Sequence, residues 1–190
     1  MRKLILIAQT SLDGFVAGVH GEFDHFIGGD ENLGFVCSIT DDSDTILLGR
    51  ISFQLLNNDW PNAARNNGAT KNMIKYSNWY NASKKFVVSS NLKTIDSGNI
   101  KIICKNIAAE ITDLKNQQGK DILIFGSPHL VHSLLELNLL DSFWLVIHPV
   151  LFGNGIPLFR NSEKVTKLRS VASKQLSDGT FCHKYVLNKT

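Results

Sequence analysis

Cysteine is scarce: Cys37, Cys104 and Cys182 are the only three in 190 residues, far apart and without a C-x-x-C pair. An odd, dispersed set excludes a disulfide framework and a structural zinc knot, and predicts three buried free thiols in a reducing compartment. Long apolar runs are absent too, so no segment is suited to span a bilayer. Met1-Arg2-Lys3 followed by Leu4 to Ala8 has the charge-then-apolar order of a signal peptide. Its apolar part is too short, however, and Gln9 to Asp13 follows with no cleavage pattern. A first β-strand is the better reading. An excess of one charge is likewise missing: 20 Lys and Arg against 17 Asp and Glu leave a net charge of +3, with the basic residues scattered. Such a chain has no basic stripe with which to hold nucleic acid. Neither G-x-G-x-x-G nor G-x-x-x-x-G-K-[ST] occurs, and there is no internal repeat or low-complexity segment. With 43% hydrophobic residues and a mean hydropathy of −0.03, the expectation is one soluble cytoplasmic domain over residues 1–190. A chain of this length buries roughly 70% of its unfolded surface.

What is present is an alternation of short apolar runs with helical patterns. Residues 3–8, apolar from Leu4 onward, read as a strand buried on both faces. Thr10 to Gly18, with two glycines around a short apolar patch, reads as a loop lying across the domain. Leu33, Val36 and Ile39 predict a short helix over 30–40. Thr45 to Leu48 and Lys85 to Val88 are further strands, the first feeding a helix that carries Phe53, Leu55 and Leu56. The Asn-rich segment 58–83 is expected to be a surface excursion holding one helix near Met73 to Tyr80. Its aromatic residues Trp60, Tyr76, Trp79 and Tyr80 suit either the core or the cover of a planar ligand. Ile100 to Cys104 is a strand, and Asn106 caps a helix bearing Ile107, Ile111 and Leu114. Lys167 to Leu176 and Thr180 to Leu187 flank Ser177-Asp178-Gly179, a hairpin signal. Strands alternating with helices imply an α/β fold: a mostly parallel sheet flanked by helices, with a C-terminal antiparallel hairpin.

The stretch from Asp121 to Phe159 organises the rest. A buried strand, Ile122 to Phe125, breaks at Gly126, and Ser127 and Pro128 are a natural N-cap and first helical residue. Leu130, Val131, Leu134, Leu135 and Leu137 form the apolar stripe of the helix that follows. A strand opening into a helix through Gly-Ser leaves bare N–H groups at the positive end of a dipole, which suits a phosphate. Ligands in open α/β sheets bind beyond the carboxyl ends of the strands. Three such ends here carry Gly49-Arg50, Ser89-Ser90 and Gly126-Ser127. Together they offer two helix starts, a guanidinium and several hydroxyls, a set that suits a dinucleotide diphosphate with one further phosphate.

Leu48-Gly-Arg-Ile-Ser-Phe53, Val87-Val-Ser-Ser90 and Phe125-Gly-Ser-Pro-His129 occur in the order and approximate spacing of the dihydrofolate reductase fold. With Ser11-Leu-Asp-Gly14 and His148-Pro-Val-Leu-Phe-Gly-Asn-Gly-Ile-Pro-Leu-Phe159, the chain resembles the reductase-domain family of the riboflavin-biosynthesis deaminase–reductases and their stand-alone relatives. The resemblance covers nearly the whole chain and implies an NADPH-dependent oxidoreductase. It resembles a 5-amino-6-(5-phosphoribosylamino)uracil reductase or a dihydrofolate reductase, acting on a small pterin- or ribosylaminopyrimidine-like or carbonyl substrate. It further implies that Gly49, Arg50, Ile51 and Ser52 meet the cofactor diphosphate and 2′-phosphate, and that Ser89 and Ser90 serve the adenosine ribose phosphate. Phe125, Gly126, Ser127, Pro128, His129, Leu130 and Val131 would present backbone amides to the other side of the diphosphate. Ala8, Gln9, Val16 and Ala17 would lie against the nicotinamide. Relatives commonly form homodimers, and the apolar segment 143–152 and the C-terminal hairpin are the expected interface.

The substrate side departs from the family pattern. Asp24 stands where relatives often carry Asp-Trp, but His25 follows it. Asp24 is the candidate catalytic acid or ring anchor, with His25 beside it as a substrate contact; a loop carboxylate is the plainer alternative. Asp13 is expected to hold its turn before Gly14. His129, His132 and His148 lack a carboxylate at matching spacing, so no metal site is expected. The zinc signature H-x-E…P-C-x-x-C of nucleobase deaminases is absent. Two other functions stay open: a non-catalytic nucleotide-binding or sensing protein on the same fold, and a true dihydrofolate reductase.

Overall fold

The computed structural model describes residues 1–92, 98–160 and 165–188. In chain order the elements are β1 (Leu4–Thr10), β2 (Phe15–Ala17), α1 (Asp30–Thr40), β3 (Ser43–Gly49), α2 (Arg50–Ala63), α3 (Lys71–Ala82) and β4 (Lys84–Val88). They continue as β5 (Ile100–Ile103), α4 (Ile107–Asn116), β6 (Asp121–Phe125), α5 (Pro128–Glu136), β7 (Ser142–Ile147), β8 (Ile156–Pro157), β9 (Leu168–Gln175) and β10 (Phe181–Leu187). Eight strands form one sheet in the order β5-β4-β3-β6-β1-β7-β10-β9. All pairs from β5 to β7 are parallel, and β10 runs antiparallel to both β7 and β9. This is the mostly parallel sheet with a terminal hairpin that the sequence predicts.

β1 is continuously apolar from Leu4 to Ala8 because helices cover both of its faces. Leu4, Leu6 and Ala8 pack with Ile111, Leu114, Leu130, Val131 and Leu134 of α4 and α5. Ile5 and Ile7 face the other way, toward Phe35, Phe53, Tyr76 and Tyr80 of α1, α2 and α3. Leu137 leaves the expected stripe of α5 and is exposed, because the helix ends at Glu136.

Several expectations need correction. Segment 58–83 is not a surface excursion: α2 runs on through Pro61, and α3 begins at a side-chain cap in which Thr70 Oγ1 accepts from Met73 N at 3.1 Å. Tyr76 and Tyr80 are buried, Trp60 lies 4.3 Å from the Tyr76 ring, and Trp79 and Tyr76 both meet Phe125 edge-on. These aromatic residues build the core. The Asn-rich composition reflects the outer faces of the two helices. The segment after β1 is not all loop, since β2 pairs antiparallel with β8. Strands of three and two residues give no readable alternation. Cys37 and Cys182 are buried, but Cys104 is exposed. Asn106 does precede α4, yet its side chain caps nothing; it supplies a left-handed residue at φ 51° instead. β7 is paired along both edges, so it offers no open strand to a second copy. Every residue of the edge strand β9 is exposed. Among the described residues, no helix is long and apolar enough to cross a membrane.

The N-terminal ends of the strands are fixed by a buried ion pair. Lys115 Nζ lies 2.6 Å from Asp141 Oδ2, with side chains 4% and 19% exposed. That same oxygen accepts from Leu4 N at 2.7 Å, and Lys115 also donates to Leu139 O. Removing one partner of such a pair strands the other charge in the interior. Lys115→Met is therefore expected to lower stability by about 3–5 kcal/mol, measured by urea unfolding. A loss below about 1 kcal/mol would contradict the burial argument.

Candidate functional site

The parallel strands all end at one edge of the sheet. Register places Gly49 opposite Val88, so Arg50 and Ser89 follow from neighbouring strand ends. β3 also pairs with β6, which brings the start of α2 beside the start of α5. Gly126 and Ser127 are successively left-handed, at φ 54° and 57°. This conformation turns the chain sharply from strand into helix.

Ser127 occupies the N-cap position but does not cap α5. Its left-handed backbone directs the side chain sideways. There its Oγ accepts from Gly49 N at 3.0 Å and lies 2.8 Å from Ser52 Oγ. One hydroxyl thus joins the two helix starts. A Cβ on residue 49 would stand 3.4 Å from that oxygen, an ordinary van der Waals contact. Neither helix has a side-chain cap, so the first-turn N–H groups of both face the edge of the sheet.

The set of amides expected around Gly126 to Val131 narrows. Gly126 N donates to Ile7 O, Val131 N donates to Ser127 O, and Pro128 has no N–H. The side chains of Leu130 and Val131 lie in the core. What remains for an anion is the backbone of Ser127, His129 and Leu130, opposite that of Arg50 and Ile51. Phe125 contributes packing against Tyr76 and Trp79.

Arg50 is exposed and reaches Gln54 Oε1 at 3.2 Å. Ile51 is exposed beside it. Ser89 Oγ accepts from Asn91 N and Leu92 N, which fixes the turn after β4, while Ser90 is exposed. Sequence reasoning missed Arg160, whose guanidinium contacts the His129 imidazole at the start of α5. No local pattern marks it; only the fold returns the chain there.

At the ends of β1 and β7 lies a second, uncharged cluster. His148 is 1% exposed, and its Nε2 lies 2.6 Å from Gln9 Oε1. Gln9 and Asn32 exchange amide hydrogen bonds at 3.1 and 3.2 Å. Phe26 stacks on His148 at 4.8 Å and on Phe152 at 5.1 Å. Burial lowers the His148 pKa, with Asp178 opposing. Ala8 and Ala17 are buried next to this cluster's strand, and Val16 is half-buried. Asn32 and Phe26 carried no sequence signal, and His148 is far more than a strand-end residue. Asp24 and His25 lie on the loop that Phe26 anchors, and their side chains are 82% and 60% exposed. The structure brings neither into the polar cluster.

Asp13 does hold its turn, accepting from Ser11 Oγ at 2.6 Å. It also accepts from Phe152 N and Gly153 N, stapling the Gly-rich loop. A Cβ on Gly155 would fall 2.3 Å from Ala17 O. The two distant motifs thus form one structure. Among the described residues, no three His, Cys, Asp or Glu are grouped to hold a metal ion.

This sheet order is that of the dihydrofolate reductase fold. Dihydrofolate reductase from Enterococcus faecalis, solved as a complex with NADP(H), superposes with a TM-score of 0.65 at 13% identity, covering 98% of this chain and 97% of that one. A Shewanella sp. PV-4 protein named provisionally for riboflavin biosynthesis gives 0.76 at 23% identity, covering 98% and 99%. Likeness at such identities speaks for the fold. In sequence, residues 2–182 match the RibD C-terminal domain, and the chain belongs to that family. The uncharacterized protein YyaP of Bacillus subtilis (strain 168) is 35% identical over 178 residues, spanning 94% of this chain and 91% of its own.

Two tests follow from the geometry. Ser127→Ala leaves Gly49 N without its acceptor. Stability should fall by about 1–3 kcal/mol, with faster amide exchange at Gly49; unchanged exchange would disprove the clasp. The Asp13 carboxyl is held below its ordinary value, first by the Ser11 hydroxyl and then by the Gly153 and Phe152 amides. A depressed carboxyl pKa stabilises above the ordinary value, and that stabilisation is lost as pH falls through the folded one. Protection of the Phe152 and Gly153 amides should persist down to the ordinary carboxylate range and fail only below it. Loss of protection near neutral pH would contradict this.

Proposed function

We propose that this chain is an NADPH-dependent reductase acting on a small pterin- or ribosylaminopyrimidine-like heterocycle or a carbonyl compound. The observation that carries the reading is the Ser127 clasp, which presents two uncapped helix starts side by side, next to Arg50. Paired dipole ends suit a diphosphate, and a nearby guanidinium suits a further phosphate. When bound, the reduced nicotinamide supplies a hydride. The net change is substrate plus NADPH plus a proton giving reduced substrate and NADP+.

The chain's own residues divide the work. Backbone amides of Arg50, Ile51, Ser127, His129 and Leu130 hold the diphosphate. Arg50, with the Ser52, Ser89 and Ser90 hydroxyls, selects for the 2′-phosphate. Ala8, Gln9, Val16 and Ala17 line the nicotinamide end. Asp24, on the loop anchored by Phe26, donates the proton or anchors the substrate ring, with His25 as its neighbour. A homodimer joined through the exposed β9 edge, which carries Leu168 and Val171, fits the rule that open apolar edges seek a partner. A second reading, nucleotide binding without turnover, draws on the 82% exposure of Asp24.

Calorimetric titration should show NADPH binding more tightly than NADH. Arg50→Ala should reduce that preference by roughly 10- to 100-fold, the worth of one charge-assisted bond. Equal affinity for the two cofactors in the wild type, or an undiminished preference in the variant, would remove the basis for NADPH. NADPH oxidation against pterins, ribosylaminopyrimidines and quinones separates turnover from mere binding. Asp24→Asn should abolish the former and spare the latter.

A further inference from the structure

We propose that His148 is a positioning residue: its imidazole, protonated at Nε2 alone, locks the Gln9 carboxamide and, through it, Asn32 in one orientation. A carboxamide at the end of a central strand has two orientations of nearly equal shape, with oxygen and nitrogen exchanged. Gln9 cannot choose between them through Asn32, because a reciprocal amide pair survives when both amides flip together. His148 breaks this symmetry. Its Nε2 contacts Gln9 Oε1 at 2.6 Å, so the proton sits on the imidazole and the oxygen accepts it. Gln9 Nε2 then donates one hydrogen to Asn32 Oδ1 and keeps a second for a ligand.

The rest of the pocket keeps the imidazole in this state. Nδ1 is buried and has no hydrogen-bond partner among the described residues. A proton there would be a second donor facing no acceptor, so both the imidazolium and the other tautomer are disfavoured. Phe26 stacks on one ring face and fixes its plane. His148 N is tied to Thr10 O, which holds the backbone against β1. Burial disfavours the charged form, while Asp178, on the turn before β10, favours it. The other charged or titratable groups on the surrounding elements include Asp30 and Glu31 on α1, the latter binding Ser177, buried Cys182 on β10, Asp13 under the Gly-rich loop, and exposed Asp24 and His25 on the Phe26 loop.

That Gln9 acts on the nicotinamide end rests on the proposed function; the locking of Gln9 by His148 does not. In the reductase, the lock turns a rotatable amide into a fixed donor and acceptor beside the reacting ring. Preorganisation of this kind strengthens ligand binding without any new contact.

The test has two parts. Long-range proton–nitrogen spectra of the wild-type imidazoles should show His148 neutral and protonated at Nε2 at neutral pH, with its protonation displaced below the ordinary histidine value. A proton on Nδ1, or an imidazolium, overturns the proposal. The second part compares His148→Gln, which keeps a donor near Nε2, with His148→Phe, which keeps the stack but not the donor. Cooperative unfolding verifies that each variant folds. In His148→Phe the side-chain NH2 signals of Gln9 and Asn32 should shift, and NADPH affinity should fall about tenfold, as expected for one lost polar contact. His148→Gln should stay close to wild type. Adenosine 2′,5′-bisphosphate, which lacks the nicotinamide, should bind all three alike. Unmoved NH2 signals in His148→Phe, or a His148→Gln variant as weak as His148→Phe, overturn the lock. Failure of the wild type to bind NADPH would count against the proposed function, while the imidazole and NH2 signals still decide the role of His148. Because the tautomer is read on the wild-type chain, a variant that failed to fold would not spare the proposal.

Discussion

Two helices begin a hydrogen bond apart at the edge of this sheet, and a single hydroxyl holds them there. Ser127 Oγ takes the Gly49 N–H and meets Ser52 Oγ, tying α5 to α2 across the junction of β3 and β6. Several odd features follow from this one contact. Gly126 turns left-handed, Ser127 does so too although it is not a glycine, and Ser127 leaves its own helix uncapped. Each is a local penalty that a stable helix start would avoid. Their shared result is a pair of helix dipoles converging on one point, and such a point attracts an anion.

The other half of the site is built on the opposite principle. Charge is kept out of the ends of β1 and β7, where an imidazole and two carboxamides form a chain under two stacked phenylalanine rings. Carboxylates near it are engaged in structure. Asp13 staples the Gly-rich loop, and Glu31 holds the hairpin turn at Ser177. The candidate site thus pairs an end of converging helix dipoles with an uncharged end, the polarity that the proposed dinucleotide has along its length.

The strands and most helices were legible because buried parallel strands are continuously apolar and their helices are amphipathic. α1 runs over the residues that Leu33, Val36 and Ile39 predict. Segment 58–83 misled because Pro61 and many asparagines suggest loop, whereas tertiary packing of Tyr76 and Tyr80 sustains two helices. β2 and β8 were too short to show a period. That Gly49, Arg50 and Ser127 meet at one edge of the sheet was legible from their place after strands. Arg160, Asn32 and Phe26 were not, since each reaches the site only through a long-range return of the chain. The role of Ser127 was misread for a related reason: a serine before proline suggests a cap, and only the left-handed backbone reveals where its hydroxyl goes.

The central claim is that two uncapped helix starts, held by Ser127, form the phosphate end of a dinucleotide site. Amide chemical-shift mapping during NADPH titration tests it most directly. The largest shifts should fall on the amides of Arg50, Ile51, His129 and Leu130 together, with smaller ones at Gln9. Shifts confined to one helix start, or lying elsewhere on the molecule, would contradict it.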